Sequence, residues 1–257
     1  MISRRLAIWF LGVAACLVAD RAVAKCLPIA QTPPRVHLAA LPTAGSVRLT
    51  YLGHSSFLIE TAAGARAVTD FNDFVAAPEL PDIVTMNNAH ETHYSVAVDP
   101  KIKFTLKGWD DGDQAARHDL FFRDMRVWNV PTNASSLGIE LAGNSIFVFE
   151  AAGLCIAHLG HLHQLLSDDQ LIALGKIHVL LVPVDGAYTM SQELMVQVIG
   201  QIAAPLVVPM HYFSDVNLAR FLRLIDQHYQ ASFAGSATVT LSRLKLPHRR
   251  VLVLPGG

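Results

Sequence analysis

The sequence predicts one large folded domain of mixed α and β structure, and three observations point to it. Hydrophobic residues fill 52% of the 257 positions and charged residues only 16%, which supplies apolar surface for a sizeable core and argues against disorder. Short apolar runs bounded by glycine or proline follow one another from residue 47 onward, as strands do. In the second half, such runs alternate with segments whose apolar residues recur at helical spacing.

Residues 1–24 read as an export signal outside the fold. Arg4 and Arg5 precede an almost wholly apolar stretch from Leu6 to Ala19, and Ala22-Val23-Ala24 offers the small residues a signal peptidase accepts. The apolar stretch is shorter than the roughly 20 residues a spanning helix needs, so no membrane span is expected in the mature chain. A periplasmic location is the expectation, and Val13-Ala14-Ala15-Cys16 also offers a lipoprotein-type anchor at Cys16. Residues 25–45, with Pro28, Pro33, Pro34, Pro42 and Gly45, form an irregular lead-in, and the domain proper is expected over 46–257.

Within that domain the expected strands are Val47 to Leu52, Ser56 to Glu60, Ala67 to Asp70, Ile83 to Met86, Lys103 to Leu106 and Met125 to Val130. Ser145 to Phe149 and Leu154 to His158 flank the hairpin-like break Ala151-Ala152-Gly153. Ser167 caps a short helix with Asp168 and Asp169 in its first turn and Gly175 at its end. A strand Val179 to Val182, a helix from Ser191 to Ile202, a strand Leu206 to Val208 and a helix from Val216 to Tyr229 follow. Ala237 to Leu241 and Val251 to Leu254 close the chain as strands. Cys155 lies in one of these strands and is expected to be an inert core thiol rather than a partner for Cys26.

Histidines carry the functional signal. His90 and His93 follow the strand ending at Met86, His158, His161 and His163 follow or end the one at 154–158, and His211 follows the one at 206–208. Neutral imidazole is the commonest side-chain metal ligand, and ligands gathered from several strand ends make a built site. His37, His118, His178, His228 and His248 show no such placement. A net charge of −1 leaves no electrostatic footprint for nucleic acid, so a small-molecule substrate is the expected partner. The chain has no phosphate-binding glycine loop, dinucleotide fingerprint or serine nucleophile elbow.

The chain resembles the metallo-β-lactamase superfamily, and within it hydrolases similar to ascorbate-6-phosphate lactonase. The likeness rests on Tyr51-Leu52-Gly53-His54-Ser55-Ser56-Phe57-Leu58-Ile59-Glu60, Thr69-Asp70, Asp82-Ile83-Val84, the run through His93, Ala157-His158-Leu159-Gly160, Val182-Pro183-Val184-Asp185-Gly186 and Pro209-Met210-His211-Tyr212. It implies an α+β fold, a four-layer αββα sandwich with metal bound where its two sheets meet. It also implies a His-x-His-x-Asp-His loop, which here reads Asn88-Ala89-His90-Glu91-Thr92-His93. Asn88 stands for a ligand histidine and Thr92 for the aspartate that assists the attacking water. His161 stands where relatives carry a bridging aspartate, and one imidazole nitrogen cannot mimic a bridging carboxylate.

Carried over residue by residue, the resemblance leaves His90, His93, His161 and His211 as metal ligands, with His158 as a further candidate. His93, His161 and His211 would form a three-imidazole set for one ion, zinc by preference, with iron, nickel or copper chemically admissible. His90 is a fourth ligand or a proton shuttle. Asp70 matches the family aspartate that orients a ligand imidazole, and Asp185 is a candidate ligand, base or orienter. His54 and His163 are placed near the site, and Asn88 and Thr92 beside it. The expected activity is hydrolysis of an ester, lactone, amide or phosphoester by metal-activated water. A catalytically inactive binding protein on the same scaffold is the alternative, and a metal-dependent oxidoreductase is the third.

Overall fold

The computed structural model describes residues 41–109, 115–135 and 142–256; the expected export signal, Cys16, Cys26 and most of the lead-in lie outside the described residues. Strands come first: β1 (Val47–Gly53), β2 (Ser56–Thr61), β3 (Arg66–Thr69), β4 (Ile83–Met86) and β5 (Phe104–Lys107). Then follow β6 (Asp119–Phe122), β7 (Met125–Thr132), β8 (Asn144–Ala151) and β9 (Leu154–His158). The remainder runs α1 (Asp168–Leu174), β10 (Val179–Pro183), α2 (Gln192–Ile202), β11 (Leu206–Met210), α3 (Asp215–Ile225), β12 (Gln230–Phe233), β13 (Thr238–Leu241) and β14 (Arg250–Val253).

Two sheets result, one ordered β13-β1-β2-β3-β4-β5 and one ordered β12-β14-β11-β10-β9-β8-β7-β6. Alternation of side chains along each strand divides the buried residues between two faces. In β11, Leu206 and Val208 face the first sheet, where they join Val47, Leu49, Phe57, Phe147 and Phe149, while Val207 faces the helices. Fully burying aromatic side chains such as Phe57, Phe147 and Phe149 contributes roughly 1.5–3 kcal/mol each.

Helices cover the outer face of the second sheet through Leu174, Met195, Val198, Ile199, Leu218, Phe221 and Ile225. Each starts on a serine, Ser167, Ser191 or Ser214, whose side chain accepts a backbone N–H of the first turn. The outer face of the first sheet is closed differently. Leu58, Val68, Val84 and Met86 pack against Ile102, Tyr94, Val98 and Trp109, and among the described residues no α-helix lies in that layer. Pro78, Pro81 and Pro100 interrupt the chain there.

Strand direction assembles the site. β9, β10 and β11 are mutually parallel, as are β3 and β4, so their carboxyl ends share one edge of each sheet. The edges are tied together there by Ser145 N donating to the Asn87 carbonyl at 3.1 Å and by a bridge between Asn88 and Asn144. The turn after β9 closes so tightly that a Cβ on Gly160 would lie 2.6 Å from Asn144 Oδ1 and from Asn87, and its φ of +59° already suits glycine.

Candidate metal centre

Three residues at strand ends adopt a left-handed backbone that non-glycine residues rarely take. His54 follows β1, Asp70 follows β3 and His211 follows β11, with φ of 51°, 50° and 53°. Such conformations cost about 1–3 kcal/mol each and persist only where the surroundings enforce them. The enforcement is visible: His211 N and the Tyr51 hydroxyl both donate to the His54 carbonyl, each at 2.7 Å. The β1–β2 turn and the loop after β11 are thereby locked together, and their two imidazoles lie with ring centroids 4.3 Å apart.

His93 completes a compact group. One ring nitrogen from each of His54, His93 and His211 lies within 4.8 Å of the others. Buried Asp70 accepts from His93 Nδ1 and from the Ser55 hydroxyl, both at 2.5 Å, and its second oxygen accepts from Asn87 N. Because a carboxylate only accepts, the proton of neutral His93 sits on Nδ1 and leaves Nε2 a bare lone pair. That Nε2 is buried without a hydrogen-bond partner, and so is His54 Nε2. His211 is treated alike, its Nδ1 donating to Asp185 Oδ2 at 3.0 Å. Carboxylate-backed imidazoles with unpartnered inward nitrogens suit a transition metal, and three imidazoles with an open side suit zinc.

The remaining expected residues separate into those beside this group and those committed elsewhere. His161 adjoins His93, ring centroids 4.8 Å apart, and its Nδ1 is bonded to His163 Nε2 at 2.9 Å. His90 is exposed, 6.1 Å from His161 between ring centroids, and its Nδ1 meets the Thr92 hydroxyl at 3.0 Å. His158, expected as a ligand, is not available as one. Its Nε2 donates to the Ser55 carbonyl at 2.7 Å and its Nδ1 accepts from Gly160 N, so no lone pair remains.

Asp185, expected as a ligand, base or orienter and counted with the catalytic candidates, has the contacts of an orienter. Besides His211, its carboxylate accepts from Ala187, Tyr188 and Thr189 N–H groups and the Thr189 hydroxyl, which leaves no oxygen facing the cavity. His54, expected only as a neighbour, belongs to the imidazole group itself. Asn88 donates to the Gly143 carbonyl and holds the two sheets together. Of the histidines set apart, His118 bonds to the Lys107 carbonyl and His178 Nδ1 accepts from Cys155 N. Cys155 is half-buried beside the core, and burial pushes its thiol pKa up.

A cavity of about 430 Å³ opens over the imidazoles, with Thr92, Tyr188 and Phe213 completing its wall. Sequence reasoning did not single out either aromatic residue. Their position three after Asp185 and two after His211, on the loops that carry the site, is the signal that could have found them.

Charge is arranged to favour a cation. Burial works against ionisation of Asp70 and Asp185, but His93 in one case and the His211 and Thr189 hydrogen bonds in the other hold both well below the ordinary carboxylate range. Burial, aided by His211 and His93, lowers the His54 pKa to about 4, and burial with His93, His163 and His211 lowers that of His161 to about 3. An unfolded histidine titrates near 6.5, so between the two values the unfolded chain binds protons that the folded chain refuses. Stability of metal-free protein is therefore full above about pH 6.5 and falls as pH drops toward 4. Urea unfolding at a series of pH values should show this slope, and His54→Gln should make it shallower; an unchanged slope would count against a neutral buried His54.

Residues 48–211 match the family model of the beta-lactamase superfamily domain. A UPF0173 metal-dependent hydrolase of Methanoculleus marisnigri is 29% identical over 216 residues, which span 70% of this chain and 89% of that protein. Among solved structures, a Thermotoga maritima protein described as a candidate Zn-dependent hydrolase of the metallo-beta-lactamase superfamily is similar with a TM-score of 0.59 and 27% identity, covering 81% of this chain and 98% of its own. Igni18, a metallo hydrolase of Ignicoccus hospitalis, shares the fold at 19% identity and a TM-score of 0.55, over 82% of this chain and 97% of its own. The matched segment runs from the first strand to the last of the clustered histidines, so it takes in scaffold and site together, and the chain belongs to the metallo-beta-lactamase superfamily.

Proposed function

We propose that this protein is a metal-dependent hydrolase with one ion, zinc by preference, held by His54, His93 and His211, and with His161 beside it. The observation that carries this reading is the convergence of one ring nitrogen from each of the three residues within 4.8 Å, with Nε2 of both His54 and His93 buried and unpartnered. A metal held there supplies Lewis acidity and an activated water for attack on an ester, lactone, amide or phosphoester. Asp70 and Asp185 keep protons on Nδ1 of His93 and His211 and so keep the opposite nitrogens free to bind. Tyr188 and Phe213 give one side of the cavity an apolar wall. Among the described residues no carboxylate lines the cavity, so exposed His90, next to Thr92, is the group that accepts the proton from water. The segment from Arg4 to Ala24 supports export as the setting.

Protein purified without added metal is expected to contain about one equivalent of a transition metal per chain and to lose ester, lactone or phosphodiester hydrolysis on chelation. A chain that folds yet neither retains nor takes up zinc would overturn the reading. A non-catalytic binding protein is the second reading, favoured by one observation: the Thr92 hydroxyl is tied to His90 where relatives would place a water-assisting aspartate. Metal uptake without turnover of any of these substrates would select it.

A further inference from the structure

We propose that the site takes an uncharged acyl substrate, an ester or lactone bearing a flat apolar group such as a phenyl ring, and that Phe213 and Tyr188 are the residues that select it. This deepens the hydrolase reading and rests on it. Phe213 and Tyr188 remain 58% and 66% exposed, large apolar surfaces held open at the mouth of a built site rather than folded into the core. They meet each other at 5.5 Å in an edge-to-face arrangement, and the Phe213 ring lies 5.2 Å from that of His211 and 5.8 Å from that of His54. A molecule whose carbonyl reaches His54 and His211 has this aromatic pair within reach of its apolar group.

The backbone of both residues is anchored by the loops that carry the site. Tyr188 N donates to Asp185 Oδ1 at 2.5 Å, and Phe213 follows the left-handed turn at His211. A wall of this kind, on an anchored backbone, selects flat apolar groups at reduced ordering cost.

The described lining favours an uncharged substrate over a phosphoester, whose charge a single metal ion would only partly offset. A metal ion held by the imidazoles would meet one phosphoryl oxygen, and the remaining charge of such an anion calls for arginine or lysine, whose N–H groups meet the other oxygens. None is among the described residues that line the cavity, and neither internal stretch outside them, 110–114 or 136–141, contains either residue. At about 430 Å³ the space suits a substrate of one ring and a short acyl chain. Hydrolysis forms a bond from water oxygen to the carbonyl carbon and breaks that carbon's bond to the leaving oxygen. One proton of water passes to the released alcohol and the other to buffer.

The test uses zinc-loaded full chain, phenyl acetate as substrate and phenylacetone, its non-hydrolysable ketone counterpart, as ligand. Phenylacetone should bind in a saturation-transfer NMR titration and compete with phenyl acetate. Phe213→Ala, a change at an exposed position, should raise its Kd and the KM of phenyl acetate by about tenfold, with a smaller change in kcat. Tyr188→Ala should act in the same direction. Phenyl phosphate should compete more weakly than phenylacetone. Failure of phenylacetone to bind, a Kd unmoved by Phe213→Ala, or tighter binding of phenyl phosphate overturns the proposal. Phenylacetone binding that depends on Phe213, without hydrolysis of any ester, keeps the aromatic wall and removes the hydrolase reading alone.

Discussion

His211→Ala is expected to abolish metal retention while the fold persists. The substitution removes one of three converging imidazoles, and a site built of three protein ligands has none to spare. The loss should exceed the roughly 10–100-fold fall in affinity that follows removal of a partner one bond further out. Folding survives because the His211 backbone N–H still reaches the His54 carbonyl and Asp185 keeps its three backbone donors and Thr189. Elemental analysis with circular dichroism on the same sample gives the answer. His54→Ala should behave as His211→Ala does, whereas His161→Ala should be milder; the reverse order would restore the His93, His161 and His211 set implied by family resemblance.

Asp70→Ala should be the most destabilising single change at the site. Its carboxylate is wholly buried and serves His93 Nδ1, the Ser55 hydroxyl and Asn87 N together. Removing one partner of a buried ionic or hydrogen-bonded network costs about 3–5 kcal/mol, because the others are left unpaired away from water. Denaturant unfolding should register that loss, and metal affinity should fall about 10–100-fold as His93 loses its orientation. Asp70→Asn keeps the left-handed backbone accessible and one acceptor oxygen, so it should recover part of the stability. A destabilisation below about 1 kcal/mol would mean that the Asp70 and His93 contact contributes little.

Much of the chain was legible because its signals are local. Ile83 to Met86 and Leu154 to His158 match their expected limits, since short, mostly apolar runs entered from Pro81-Asp82 and from Gly153 leave little choice of conformation. The helix after Ser167 was equally plain, with a capping serine, two aspartates in its first turn and a terminal glycine. The strands that escaped notice, Asp119–Phe122 and Gln230–Phe233, lie at the two ends of the eight-stranded sheet. Edge strands there have half their residues exposed or more: Gln230–Phe233 carries no apolar run, and the run in Asp119–Phe122 is only the three residues Leu120-Phe121-Phe122. The helix expected to reach Tyr229 ends at Ile225, and Tyr229 leaves it to bond the Ala204 carbonyl.

Composition and local pattern pointed to a mixed α/β fold and placed histidines after strands, because strand propensity and side-chain alternation act over a few residues. Which imidazoles point at a common centre was beyond that reach. His54 and His158 exchange their expected parts for reasons that arise only when distant segments meet. The Ser55 carbonyl and Gly160 N use both nitrogens of His158, while the lock between His211 and His54 turns the latter inward. A hydrogen bond spans about 3 Å whatever the separation along the chain, so the free lone pairs follow from the parallel strand order that aligns these ends.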